Sequence, residues 1–250
     1  MGDIHGRADL ADPLIDAIRA DLSATSASRK VLVFLGDHVD RGSGSKAVID
    51  RLVSLAAEPD LESHFIRGNH EDRMEAFLED PRVGTSWCDY GGRDTLMSYG
   101  VNPPPMRGDA DAWAETSRAL AQALPVAHRT LLAGQESSVS IGDYFFTHAG
   151  ARPGVALSEQ SPEDLMWIRQ AFLDHAAPFE QVIVHGHTPT EHVVSDNRRI
   201  GVDTGAYATN VLSAVRLEGT SRSVLQATGR GPHVSVINRD LPNTSRSGRG

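Results

Sequence analysis

The 250-residue sequence has one cysteine, Cys88, so no internal disulfide can staple the chain and its fold must rest on an apolar core. Aromatic residues make up only 6%, and no apolar run approaches the roughly 18 residues that a membrane-spanning helix needs. A surplus of positive charge is also lacking. The formal net charge is −9, which argues against nonspecific nucleic-acid binding driven by a positive field. The opening MGDIHGRADLADP carries acids where a secretory leader would carry a basic patch and an apolar core, so a cytoplasmic setting is expected, with no membrane and no nucleic-acid partner.

What is present is the composition of a folded globular protein, 40% hydrophobic and 23% charged, long enough for one sizeable core with a small appended lobe. The charge is uneven. From residue 219 onward five arginines face one acid, Asp240, so this end is +4 and the preceding body is −13. Residues 1–227 are therefore expected to form the domain, and residues 228–250 a basic, disordered tail.

Short β-branched runs at residues 31–36, 64–68, 144–148, 181–186 and 213–218 have the length of buried strands. Between the early ones, Leu10, Leu14, Ile15, Ile18 and Leu22 recur at helical spacing, as do Val48, Leu52, Leu55 and Ala56. Strand and helix alternate, which predicts an α/β sheet with its chemistry in the loops. Residues 80–134, with a PPP run and a helical pattern through Trp113, Leu120 and Leu124, read as a mostly helical cap. Beyond residue 180, strands joined by short polar turns read as the second sheet of a layered sandwich.

Several strand-like runs end in polar clusters. Asp3 and His5 sit in GDIHG at the start, residues 31–36 lead into Asp37, His38, Asp40 and Arg41, and residues 64–68 lead into Asn69, His70 and Glu71; later runs deliver His148 and His187. Carboxylate, imidazole and amide ligands at strand ends converge on one edge of a sheet, as a metal site requires. Without thiolates, this donor set suits manganese, iron, zinc or nickel rather than a zinc ribbon or an iron–sulfur centre. Six ligands are too many for one ion, whereas two cations roughly 3.5–4 Å apart that share a carboxylate divide the set and generate a hydroxide nucleophile. Taken singly, Asp3, Asp37 and Asp40 also suit turns or helix caps.

GDIHG, GDHVDRG, GNHE, a strand ending in HAG, and HGHT, in this order, resemble the calcineurin-like metallophosphoesterases, and within them the bacterial type of the phosphoprotein phosphatase branch. The resemblance covers about residues 2–218 and implies a four-layer αββα sandwich. It implies Asp3 and His5 as ligands of a first divalent metal, Asp37 as the bridge, and Asn69, His148 and His187 as ligands of a second, with manganese as the expected ion. His70 would be the general acid and Asp40 its orienting partner; Arg41, Arg169 and Asn69 would hold the substrate phosphate. Cys88 lies in WCDYGG, which has no resemblance to the CxxxxxR loop of cysteine phosphatases.

Two departures stand out. The family places a buried strand before GDxHG, and here one residue precedes the motif. The expectation is a missing first strand, a truncated start, and first-metal ligands on a fraying end. Thr188 and Pro189 follow His187, where nuclease-like relatives carry GHxH, so the phosphatase branch is favoured. The expected function is metal-dependent hydrolysis of a phosphate monoester, on phosphoserine or phosphothreonine proteins or a small phosphorylated substrate. The alternatives are a dinucleoside polyphosphate hydrolase and an inactive binding module of the same fold.

Overall fold

The computed structural model of the chain describes residues 1–105 and 108–241. The first apolar stripe folds as α1 (Ala8–Ala24), burying Leu10, Leu14, Ile15 and Ile18 along one face. Then β1 (Val31–Phe34), α2 (Ser45–Ala56) and β2 (Glu62–Phe65) form a βαβ unit whose strands pair in parallel, Val31 opposite Glu62. The next helix, α3 (Asn69–Glu79), starts directly on GNHE.

Helices fill the region expected to be the cap: α4 (Gly84–Trp87), α5 (Arg93–Ser98), α6 (Ala110–Ala123) and α7 (Val126–Ala133). Trp87, Leu96, Trp113 and Leu120 belong to the same apolar cluster as Leu10, Leu14 and Leu52. The cap therefore shares one core with α1 and α2.

A five-stranded sheet follows in the order β3-β4-β5-β7-β6, comprising β3 (Ser138–Ile141), β4 (Tyr144–Thr147), β5 (Val182–His185), β6 (Val194–Ser195) and β7 (Arg199–Gly201). Its centre, β4, β5 and β7, is parallel, and both edges are antiparallel. The helix α8 (Pro162–Trp167) lies in the long β4–β5 connection. Finally β8 (Val211–Glu218), β9 (Ser221–Thr228) and β10 (Ser235–Asp240) make an antiparallel meander.

Side-chain alternation along β1 shows the layering. Leu32 and Phe34 enter the cluster under the helices, whereas Val33 and Leu35 join Val184, Ile200 and Val224 in a second cluster between the sheets. A third cluster, with Phe145 and Ile183 against Leu165, Ile168 and Phe172, covers the outer face of the five-stranded sheet. The result is an αββα sandwich.

Three expectations need correction. The strands after residue 180 are not one sheet: β5, β6 and β7 complete the five-stranded sheet, while β8 to β10 lie in the layer of β1, tied there by Gly2, whose N–H donates to Ser213 O at 3.0 Å. Residues 235–240, assigned by composition to the tail, form β10, because Val236 packs on the core beneath its polar neighbours. Of the rest of the expected tail, Thr228 ends β9 and residues 229–234 and 241 are described, while residues 242–250 lie outside the described residues. Nor do Asp3 and His5 hang from a fraying end. Met1, Gly2, Asp3, Ile4 and His5 are all buried. The Met1 amino group donates to Val33 O at 2.7 Å, Leu35 N–H donates to Met1 O at 3.0 Å, and the Ile4 and His5 N–H groups donate to Asp37 O.

Candidate active site

Four of the site loops leave the C-terminal end of a parallel strand, the edge where open α/β sheets present their ligands. Asp37 follows β1, Asn69 follows β2, His148 follows β4 and His187 follows β5. The backbone there is strained. Six non-glycine residues among those described have positive φ, and five of them are His5 (48°), Asp37 (51°), Asp40 (71°), Arg41 (69°) and His187 (64°). Such conformations cost on the order of 1–2 kcal/mol each and persist only where the surroundings fix them.

Glu71 supplies much of that fixing. Buried at the start of α3, its carboxylate accepts the backbone N–H groups of Asp37 (2.9 Å), His38 (2.8 Å), Val39 (3.2 Å) and Gly68 (2.9 Å). A Cβ at Gly68 would overlap the backbone nitrogen and Oδ1 of Asp37, so glycine is what lets the two loops close.

Asp37 is the centre. Its Oδ2 lies 3.5 Å from His5 Nε2 and its Oδ1 lies 3.4 Å from His148 Nε2. Two groups able to hold a metal ion share it: His5, Asp37 and His70, and Asp37, His148 and His187. In the second, Asn69 Oδ1 stands 2.9 Å from His148 Nε2 and 2.8 Å from His187 Nδ1. His148 Nδ1 donates to Leu35 O and His5 Nδ1 to Val39 O, which leaves both Nε2 atoms with lone pairs facing inward. Lone pairs of His148 and Asn69 thus converge at 2.9 Å, an arrangement that suits a cation.

The electrostatics agree. Burial lowers His5 to a pKa of about 3 and, with the neighbouring His148, His187 to about 2, so both imidazoles are neutral and competent as ligands. Burial first, then the charges of Asp203 and Asp37, pushes the Asp3 carboxyl well above its ordinary range. Asp203 rises to about 6, mainly through burial. Burial would raise Asp37 as well, but the positive charge that His148, His70, His5 and His187 carry when protonated outweighs it and holds Asp37 low. Asp3 Oδ2 accepts the His187 N–H at 2.9 Å while its buried Oδ1 has no partner. Crowded carboxylates and neutral imidazoles with an orphaned oxygen are the donor set a divalent cation fits.

Beside this cluster, His70 Nδ1 lies 2.7 Å from Asp40 Oδ2. Trp87 Nε1 also donates to Asp40 Oδ2, and Thr95 Oγ1 donates to Oδ1 at 2.6 Å. Burial would lower the His70 pKa, but Asp37 and Asp40 outweigh it and raise it. Arg41 Nη2 stands 3.3 Å from His70 Nε2, a hydrogen bond only when that nitrogen has no proton. With the ring protonated, two donors face a common point, which an anionic oxygen would satisfy. Arg41 also stacks on the Tyr207 ring at 4.3 Å. Arg169 is exposed at the rim and donates to His187 O and Thr188 Oγ1, both at 3.3 Å.

All the residues singled out in the sequence therefore meet at one edge, Arg169 at its margin. His185 turns to Gly186 O and Arg199, and His38 is buried against Phe34 with neither ring nitrogen bonded. Glu71 as anchor, Thr95 and Trp87 as holders of Asp40, Asp203, and Tyr207 beneath Arg41 escaped sequence reasoning. Of these only Glu71 carried any signal, through the GNHE motif around it.

A model of the calcineurin-like phosphoesterase family matches residues 1–218. The chain belongs to the calcineurin-like phosphoesterases. Members bind two divalent metal ions, in keeping with the two groups built on Asp37. This phosphoesterase is 40% identical over 71 residues to serine/threonine-protein phosphatase BSL2 of Arabidopsis thaliana, a match covering 28% of this chain and 7% of that one. It is 25% identical over 263 residues to the asymmetrical bis(5'-nucleosyl)-tetraphosphatase PrpE of Halalkalibacterium halodurans, covering 97% and 98% of the two chains. Among solved structures, a protein serine/threonine phosphatase from Saccharomyces cerevisiae aligns at 15% identity and TM-score 0.43, covering 98% of this phosphoesterase and 80% of that chain. Among the described residues no helix is long and apolar enough to cross a membrane.

Proposed function

We propose that this phosphoesterase hydrolyses phosphate monoesters, with phosphoserine and phosphothreonine in proteins as its substrate class. Asp3, His5 and Asp37 would hold one divalent ion, and Asp37, Asn69, His148 and His187 a second, with manganese as the expected pair and iron, zinc or nickel as substitutes. Bound there, the ions supply Lewis acidity and lower the pKa of water toward neutrality.

The chain's own residues do the rest. His70, held by Asp40 at 2.7 Å, keeps a proton on Nε2 and hands it to the leaving oxygen. Asp40 fixes the ring through Nδ1 and is itself fixed by Trp87 and Thr95, so the proton is aimed before substrate arrives. Arg41 and Arg169 take phosphate oxygens, and their fixed charge offsets the dianion. The His70–Asp40 pair next to two donor groups sharing Asp37 is the observation that carries this reading.

A second reading, hydrolysis of dinucleoside polyphosphates, is favoured by one observation: the relative that aligns over nearly the whole chain bears the tetraphosphatase name. A product assay with manganese separates the two. Phosphate released from a phosphoserine peptide supports the first; ATP and AMP, or ADP, from diadenosine tetraphosphate with no phosphate from the peptide overturns it.

A further inference from the structure

The helix α3 carries more than Asn69, His70 and Glu71. Arg73 follows His70 by three positions and Asn69 by four, so it stands one turn further along the same face, its Cβ about 5–6 Å from theirs. Its side chain is exposed, and the guanidinium lies over the Trp167 ring, 5.0 Å from the centroid. Trp167, half-buried at the end of α8, meets the His187 ring edge-on at 6.3 Å, and Arg169, two residues further on, donates to His187 O. Arg73 and Trp167 therefore belong to the rim of the site on the side of His187.

Arg73 repeats the arrangement of Arg41, which lies over Tyr207 at 4.3 Å. A ring beneath a guanidinium takes its face and leaves the in-plane N–H donors free. It also fixes the plane, so less freedom is lost when an anionic fork docks. Among the described residues no carboxylate or other acceptor takes the donors of Arg73. The acids beside it on α3, Asp72 and Glu75, both turn to Arg67, at 3.2 and 2.5 Å. Arg41 faces the place of the scissile phosphate, and Arg73 stands about one helical turn, roughly 5.4 Å, beyond His70. An extended peptide returns to the same side every second residue, about 6.6 Å on.

Resting on the monoester reading above, we propose that Arg73, laid on Trp167, is a specificity subsite for a carboxylate two residues from the phosphoserine. The phosphoesterase then prefers phosphorylated segments that carry aspartate or glutamate at that position.

The test measures binding apart from turnover. Two labelled peptides carry the non-hydrolysable phosphonate analogue of phosphoserine and differ only at the second residue on each side, aspartate in one and asparagine in the other. Fluorescence anisotropy with the manganese-loaded full chain gives a Kd for each. The expected preference is about three- to fivefold for aspartate at low salt, shrinking as salt is added because Arg73 is exposed. In Arg73→Gln the ratio falls to about one, whereas Arg73→Lys retains part of it. A ratio read within one protein does not depend on the fraction folded. Equal Kd values in the wild type, no saturable binding of either peptide, or a preference that survives in Arg73→Gln overturns the proposal. Phosphate release from the phosphoserine forms of the same peptides is read separately. Its absence beside an intact ratio counts against the monoester reading and still supports the subsite.

Discussion

The Glu71 carboxylate accepts the Asp37 backbone N–H at 2.9 Å and gathers those of His38, Val39 and Gly68 around the same two oxygens. One side chain at the head of α3 thereby sets the path of the loop that carries Asp37, Asp40 and Arg41. Glu71→Gln keeps the size but removes the charge and turns an NH2 group toward backbone donors. Stability is expected to fall by about 2–3 kcal/mol, the scale of charge-assisted hydrogen bonds, with activity falling further because the loop moves. Urea unfolding of wild type and variant measures the first; an unchanged midpoint contradicts the anchoring role.

For His70→Asn, turnover of a serine phosphate ester is expected to drop by about 10²–10⁴-fold. An aryl phosphate, whose leaving group needs little protonation, should lose much less. Steady-state kinetics on the two substrates read the difference directly. Equal losses would remove His70 from the role of acid.

Tyr207 carries the Arg41 guanidinium on its face at 4.3 Å and meets His5 edge-on. Tyr207→Ala is expected to raise KM about 2- to 30-fold, the range of a cation–π contact, while Tyr207→Phe keeps the ring and stays close to wild type. An alanine variant with unaltered KM would show that Arg41 needs no such support.

Stability should also depend on pH through a group remote from the site. His64 on β2 lies between Glu62 (3.0 Å) and Glu136 (3.1 Å); burial would lower its pKa, but the two carboxylates outweigh this and raise it. The pair's contribution is therefore complete below the unfolded value of about 6.5 and is lost as pH rises through the higher folded value. Thermal melts of wild type and His64→Gln from acid to alkaline pH should converge as pH rises. A constant gap would contradict the linkage.

How much of this could be read from the sequence follows from how each contact is made. Asp37, Asn69, His148 and His187 are visible because each ends a short β-branched run, and strand ends in such a sheet share an edge. Their chemical types suggest the donor set. Thr95 and Trp87 are not visible as partners of Asp40, since the contact joins the cap to a loop about 50 residues away and follows no period. The same holds for Tyr207 under Arg41. The split of the later strands between two layers depends on the Gly2–Ser213 bond, a long-range pairing that alternation along β8 does not encode. In β10 the apolar signal of Val236 and Ile237 is diluted by arginine and glycine nearby, so composition pointed to disorder.

The central claim is a pair of metal ions sharing the Asp37 carboxylate. Its most direct test is the metal content of the manganese-loaded protein after exhaustive exchange into metal-free buffer, wild type beside Asp37→Asn. The account predicts two ions per chain in the wild type and a loss of at least one, together with the activity, in the variant. One ion or none in an active wild type, or two retained by a fully active Asp37→Asn, would contradict it.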